Sequence, residues 1–278
     1  MDQASAPKPR RRRLASPDAA DGLASTPKPP RSVRGLGAVK EFRIQGEPGF
    51  VLHSFPYKET SLIVEMFSRR YGRVAVLAKG ARRPHSALRG ALQTFQPLSL
   101  GWSGKSSLRT LIAAEWVGGL LPLEKSALLC GFYLNELLVK LLAHDDPHPA
   151  LFDHYVSSLN QLAHNESASI VLRKFELALL KETGVAAQLS RCVETGLLVQ
   201  AQLQYAVDPQ RGPRMVAQPE PGLPCVLGKT LLDMEQGDYS DSMTQNQSKA
   251  LMRFLLAYHL DGVPLKTRQI LMDLMLYK

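Results

Sequence analysis

The chain has 278 residues, 45% of them hydrophobic, with a formal net charge of +9. That length suits one large or two ordinary domains with a real core, and no apolar run reaches the roughly 18 residues that a membrane-spanning helix needs. Cys130, Cys192 and Cys225 are odd in number and widely spaced, which argues against a disulfide framework and for a reducing, cytoplasmic setting.

The positive charge is unevenly placed. Residues 1–40 carry nine Lys/Arg against three Asp, residues 41–116 eleven against five Glu, and residues 117–278 fourteen against seventeen Asp/Glu. The first 116 residues therefore hold the whole excess. Such asymmetry points to a polyanionic partner, nucleic acid or a membrane surface. For the first 40 residues alone, a solubility role is the plainer reading.

Residues 1–39 read as a disordered basic extension, rich in Pro, Ala, Ser and Arg and almost without aromatics. Such a segment cannot bury enough apolar area to offset its ordering entropy. The run Arg10–Arg13 adds non-specific attraction to phosphates. No apolar stretch follows it, so it is not a secretory signal.

Residues 40–116 change character. The runs GFVLHSF, TSLIVEMFS, RVAVLAK, LQTFQPLSLGW and SLRTLIAAEW are β-branched or aromatic and separated by turn residues, which predicts five short strands. Five strands with an interruption after the third suggest an OB-fold barrel. The interruption is LAKGARRPHSALRG, residues 77–90. In the third strand the two-residue period puts Arg73, Ala75, Leu77 and Lys79 on one face and Val74, Val76 and Ala78 on the other. Arg82, Arg83 and Arg89 continue the charge into the connection, where Gly80 and Gly90 let the backbone turn. Cations beside aromatic rings are what single strands need, phosphates for the one and bases for the other. Phe55, Tyr57, Tyr71 and Trp102 lie near strand ends. The predicted nucleic-acid set is Arg73, Lys79, Arg82, Arg83, Arg89, Tyr57 and Tyr71; the plainer alternative is a solvated loop with core aromatics.

Residues 117–278 read as a mainly α-helical domain, so the class is α+β. Ala127, Cys130, Leu134, Leu137, Leu138 and Leu141 recur at helical spacing. HDDPHP ends that helix and a second is expected over 149–163. SASIVLRKFELALLKETG predicts a third, with Leu172, Phe175 and Leu179 on one face and Gly184 closing it. Residues 186–240 are poorly periodic and form an irregular insert. NQSKALMRFLLAYHLDG predicts a fourth helix with Leu251, Phe254, Leu255 and Tyr258 on one face, and PLKTRQILMDLML a fifth.

Three motifs resemble chemistry and fall short of it. SGKSS (103–107) lacks the glycine that a phosphate-binding loop needs where Ser99 stands, and a strand follows it. HDDPH (144–148) with His154 lies in a proline-marked connection between helices. Cys192 and Cys225 are two thiols where a structural zinc needs four ligands. Cys130 sits on a helix stripe as a core residue. No catalytic constellation has persuasive spacing, so a non-enzymatic protein is expected.

FVLHSFPYKETSLIVEMFS, GRVAVLAKGARR, GALQTF, YLNELLVKLL, LRKFELALL and GVPLKTRQIL together resemble the bacterial recombination mediator family RecO, from about residue 49 to the C-terminus and in the same order. The resemblance implies an N-terminal OB fold and a helical C-terminal domain. It implies binding to single- and double-stranded DNA, annealing of complementary strands, and, with RecR, loading of RecA onto DNA coated by single-strand binding protein. Some family members carry a four-cysteine zinc module. Cys192 and Cys225 fall where it would sit, but Thr195 stands in place of another cysteine, so no zinc is expected and any ordered zinc-ribbon shape of residues 186–230 is placed in doubt. The family also docks the acidic, hydrophobic tail of single-strand binding protein on its helical domain, for which Arg173, Lys174, Phe175 and Leu179 are the candidates. The plain alternative there is an amphipathic helix with solvated cations.

Overall fold

The computed structural model describes residues 42–270. The basic extension and the end of the fifth predicted helix lie outside the described residues. The five expected strands are present: β1 (Arg43–Tyr57), β2 (Ser61–Ser68), β3 (Gly72–Ala78), β4 (Leu98–Ser103) and β5 (Leu108–Trp116). They close into a barrel in the order β1-β2-β3-β5-β4. All neighbours pair antiparallel except β3 with β5. A short helix, α1 (Ala87–Ala91), fills the connection between β3 and β4, as an OB-type barrel requires.

The two-residue period holds along β3. Val74, Val76 and Ala78 point into the barrel with Val51, Val64, Met66 and Trp102, and Arg73, Ala75 and Leu77 point out. The outer face of β1 and β2 is itself apolar at one end. Phe50, Leu52 and Phe67 leave the barrel and join the helical core. That core is built by α2 (Lys125–Leu141), α3 (Pro149–Ala163) and α4 (Ala168–Glu182), joined by α6 (Ser242–His259). Phe67 packs 5.4 Å from Phe152, and Phe50 meets Tyr155 edge-on at 5.2 Å. Barrel and helices thus share one apolar core besides the barrel's own.

A bulge in β1 between Val51 and His53 interrupts the ladder with β2. A bulged residue loses its ladder partner. Asn135 of α2, itself buried, donates Nδ2–H to the Leu52 carbonyl at 2.9 Å and accepts the Tyr155 hydroxyl at 2.5 Å. One amide therefore satisfies a strand, a helix and a second helix at the same point.

Helices α2 to α4 match the apolar stripes expected of them, except that Ala127, Cys130, Leu141 and Leu172 are only partly buried. On α6 the core stripe is Leu251, Met252, Leu255 and Leu256, while Tyr258 faces solvent. Asp241 opens α6 by accepting the Met243 N–H at 3.0 Å.

Residues 186–240 are more regular than their weak periodicity suggests. They hold a three-stranded sheet, β6 (Gln204–Asp208), β7 (Gly212–Met215) and β8 (Cys225–Leu227), in the order β7-β6-β8, and a helix α5 (Gly228–Gln236). Tyr205, Val207, Val226 and Leu231 carry this insert into the main core. The turn after Cys192 closes on itself, with the Cys192 N–H on the Leu197 carbonyl and the Gly196 N–H on the Cys192 carbonyl. Burial pushes the Cys192 thiol up, but hydrogen bonds from the Thr195 hydroxyl and from the backbone of Thr195, Met215 and Glu194 outweigh it and hold it below its ordinary value. Among the described residues no group of three or more His, Cys, Asp or Glu is placed to hold a metal. No described helix is long and apolar enough to cross a membrane.

Candidate nucleic-acid interface

The cross-strand pairs lay out the outer barrel face in rows. Tyr57 lies opposite Ser61; Phe55, Ile63 and Leu77 form the next row; His53, Glu65 and Ala75 the next; Phe50, Phe67 and Arg73 the last. The last row is covered by the helices. The first two are open. Phe55 is 38% exposed, and the His53 ring stands 5.3 Å from it. The Lys58 ammonium lies 5.4 Å from the centre of the Tyr57 ring. Three aromatic rings thus follow one another along the outside of β1.

Cations rim this end of the barrel. The chain leaves β3 through Gly80, whose φ of 68° is left-handed and suits glycine. It then runs beside the β1–β2 turn. The Arg82 N–H donates to the Thr60 carbonyl at 2.8 Å and its guanidinium to the Glu59 carbonyl at 3.2 Å. Lys79, Arg82 and Arg83 are all exposed. None of the three pairs with a carboxylate among the described residues. Four other barrel arginines do: Arg69 with Asp153, Arg70 with Glu47, Arg73 with Glu65 and Arg109 with Asp145. Among the described residues, three adjacent cations at the aromatic end therefore lack a carboxylate partner, while these four arginines are matched. Arg89 is exposed on α1, which packs against β5.

Two members of the predicted set belong to the scaffold instead. Arg73 does project from the outer side of β3, but that side is occupied at its row. Its guanidinium donates to Glu65 at 2.8 Å and to the carbonyls of Val139 and Leu142 at 2.5 and 3.1 Å, at the C-terminal end of α2. The Asp145 N–H returns to the Arg73 carbonyl at 2.9 Å, and a Cβ on Gly72 would stand 1.8 Å from the Asp146 carbonyl oxygen. Tyr71 meets the fully buried Trp102 edge-on at 5.4 Å and closes the barrel. In their place the face gains Phe55 and His53. Continuing the two-residue period back from Tyr57 would have found both. Replacing Phe55 by alanine is expected to weaken single-strand binding about 5- to 150-fold, the worth of one stacked base, with the salt dependence unchanged. Fluorescence anisotropy on an oligo(dT) strand at several salt concentrations measures both.

A second site lies in the helical layer. A groove of about 460 Å³ runs between α4, α6 and the segment after α6, walled by Leu172, Leu256, Leu260 and Val263. Lys249, Arg253 and Arg268 also line it. Of the four residues predicted for a partner tail, Arg173 lines this groove and Lys174 is exposed. Phe175 and Leu179 do not line it, because that stripe of α4 faces the core, where they are 1% and 0% exposed. Lys249, Arg253, Leu256 and Leu260 share one face of α6 by their spacing, a signal present in the sequence but not tied there to α4.

At the base of the groove Arg173 is paired with Glu176, which is fully buried, and the Tyr133 hydroxyl donates to the same carboxylate at 2.6 Å. Burial pushes the Glu176 carboxyl above the usual carboxylate range, against the pull of Arg173 and of the Tyr133 hydroxyl. Burial, then the Glu176 charge, drives the Tyr133 phenol upward. Glu176 Oε2 and Arg173 Nε have no partner among the described residues.

Comparison with known proteins settles the lineage. Residues 44–120 match the family model described as recombination protein O N terminal, and residues 124–212 match recombination protein O C terminal. The chain belongs to the RecO family. It is 58% identical over 243 residues to the DNA repair protein RecO of Ralstonia nicotianae, spanning 87% of this chain and 89% of that one. It is 57% identical over 257 residues to the RecO of Burkholderia pseudomallei, spanning 92% and 93%. It is 54% identical over 245 residues to the RecO of Cupriavidus pinatubonensis, spanning 88% and 84%. The N-terminal RecO match covers the barrel and the C-terminal match begins one residue before α2. That match ends at residue 212, where β7 begins.

Proposed function

We propose that this RecO-family chain binds DNA on the open end of its barrel and anneals complementary single strands. With RecR, it helps load RecA onto DNA coated by single-strand binding protein, at the nucleoid in the cytoplasm. The observation that carries this reading is the exposed rim of Lys79, Arg82 and Arg83, without carboxylate partners among the described residues, beside the exposed Phe55 and the half-buried Tyr57. Phosphates suit the first group and bases the second. Neither task breaks or makes a covalent bond, and the protein acts without an enzymatic step. It also acts without zinc: Thr195 stands where a metal site would need another thiolate.

The groove between α4 and α6 suits the acidic, hydrophobic tail of single-strand binding protein. Its walls are apolar and Lys249, Arg253 and Arg268 face it, the chemistry that an amphipathic acidic peptide requires. This supports a second reading, a docking scaffold whose DNA affinity comes mainly from the basic extension. Annealing of labelled complementary strands, with and without single-strand binding protein, separates the two. A chain lacking residues 1–39 is expected to keep most of its annealing activity. Loss of annealing with the extension alone would move the DNA site off the barrel.

A further inference from the structure

The deepest charge in the helical groove is already matched. Arg173 is held by Glu176, and the pair lies beneath a mouth that carries Lys249, Arg253 and Arg268. A peptide that ends in an apolar side chain and a free carboxylate would carry that carboxylate toward Arg173, whose side chain lines the groove and is 13% exposed. Two carboxylates would then share one guanidinium in a site shielded from water. Like charges so placed cannot both persist, and one takes a proton. The ligand carboxylate enters with the rim cations around it. Glu176 is fully buried and has a free Oε2 to receive a proton, while its Oε1 keeps the Tyr133 hydroxyl as donor.

We propose that docking of an acidic, apolar-ended peptide in this groove is coupled to uptake of one proton by Glu176. The proton comes from solvent and goes to Oε2, and no other bond changes. This rests on the docking reading of the groove given above. The groups that face Glu176 are Tyr133 from α2, Arg173 on its own helix, Arg268 after α6 and Tyr239 before it, with Lys249 and Arg253 across the groove. Burial raises Cys130, Tyr133 and Tyr239, so all three stay neutral near pH 7. No histidine lines the groove among the described residues. The burial that already lifts the Glu176 carboxyl works in the same direction as the incoming charge.

The sign follows from the two states. Binding raises the Glu176 pKa above its value in the free protein. Affinity is then full below the free-state pKa, falls by up to about tenfold per pH unit between the two values, and levels off above the bound-state one. The test uses the full chain and a fluorescein-labelled Asp-rich peptide ending in a free Phe carboxylate. Anisotropy titrations run from about pH 5.5 to 8.5 at constant ionic strength, where the peptide's own carboxylates stay ionised. Affinity is expected to fall across part of that range. Calorimetry in two buffers of different ionisation enthalpy is expected to show uptake approaching one proton per peptide. Glu176→Gln keeps an acceptor for Tyr133 and is expected to bind more tightly at high pH with a flat profile. Lys249→Ala is expected to weaken binding at every pH and keep the slope. A flat wild-type profile without proton uptake overturns the proposal, as does a slope that survives in Glu176→Gln. If that variant does not fold, the two-buffer measurement on the wild-type chain still decides. A peptide that does not bind at all overturns the docking reading itself, and the coupling with it.

Discussion

Replacing Arg73 by alanine is expected to destabilise the protein by about 3 kcal/mol, the lower end for stranding one member of a buried ion pair. The arginine and Glu65 side chains are 15% and 10% exposed, so water screens the pair little. Removing the guanidinium leaves Glu65 in that place with His144, at 3.1 Å, as its remaining side-chain partner among the described residues. It also takes a donor from the Val139 and Leu142 carbonyls, which lie at a helix end where the chain supplies none of its own. For a domain of this size the melting temperature should fall by about 6–12 °C. Arg73→Lys should recover only part of this, because an ammonium cannot serve a carboxylate and two carbonyls in the fixed geometry of a guanidinium. Thermal melts followed by circular dichroism give the shift. The discriminating measurement is the salt dependence of DNA binding by the folded variant at low temperature. It should match the wild type, and a shallower slope would return Arg73 to the DNA face.

The opposite profile is expected when Lys79, Arg82 and Arg83 are all replaced by alanine. None of the three has a carboxylate partner among the described residues, and all are exposed, so the fold loses little. Each phosphate contact on a single strand contributes about 0.7 to the log–log slope of affinity against salt. Three lost contacts should lower that slope by about 2 and weaken binding about 100-fold at 0.1 M salt. The loss should be similar for different sequences, since phosphates carry no sequence information. Anisotropy on oligo(dT) and on a mixed-sequence strand tests it. An unchanged slope would mean that this rim does not meet DNA.

These two results would also mark where the sequence was readable and where it was not. Arg73, Ala75 and Leu77 share the outer face of β3, as period-two alternation expects, and Lys79 lies in the turn just past the strand. What covers that face depends on α2 and the loop after it, about 70 residues further on, and alternation has nothing to say about that. Phe175 and Leu179 failed as groove residues for a related reason. A stripe of apolar residues on a helix marks its most buried side, so a groove between helices is lined by the flanking positions, here Leu172 and Arg173. The barrel itself was legible because each strand has a clear period and turn residues bound it. Strands β6 to β8 have three to five residues each, too few for a period to emerge, and α5 has nine residues and no side-chain cap. The groove's far wall was hidden for want of any local signal linking α6 to α4.

The amide of Asn135 has a consequence for how the protein comes apart. It touches the barrel at Leu52 and the third helix at Tyr155, and around it Phe50, Leu52 and Phe67 lie among helical side chains. Cutting the chain between β5 and α2 would strand three large apolar side chains on the outside of the barrel and a polar amide on the outside of the helices. Stability here is a joint property, and a single cooperative transition follows from it. The two family regions are separate stretches of sequence, and a calorimetric scan is expected to show them melting in one transition.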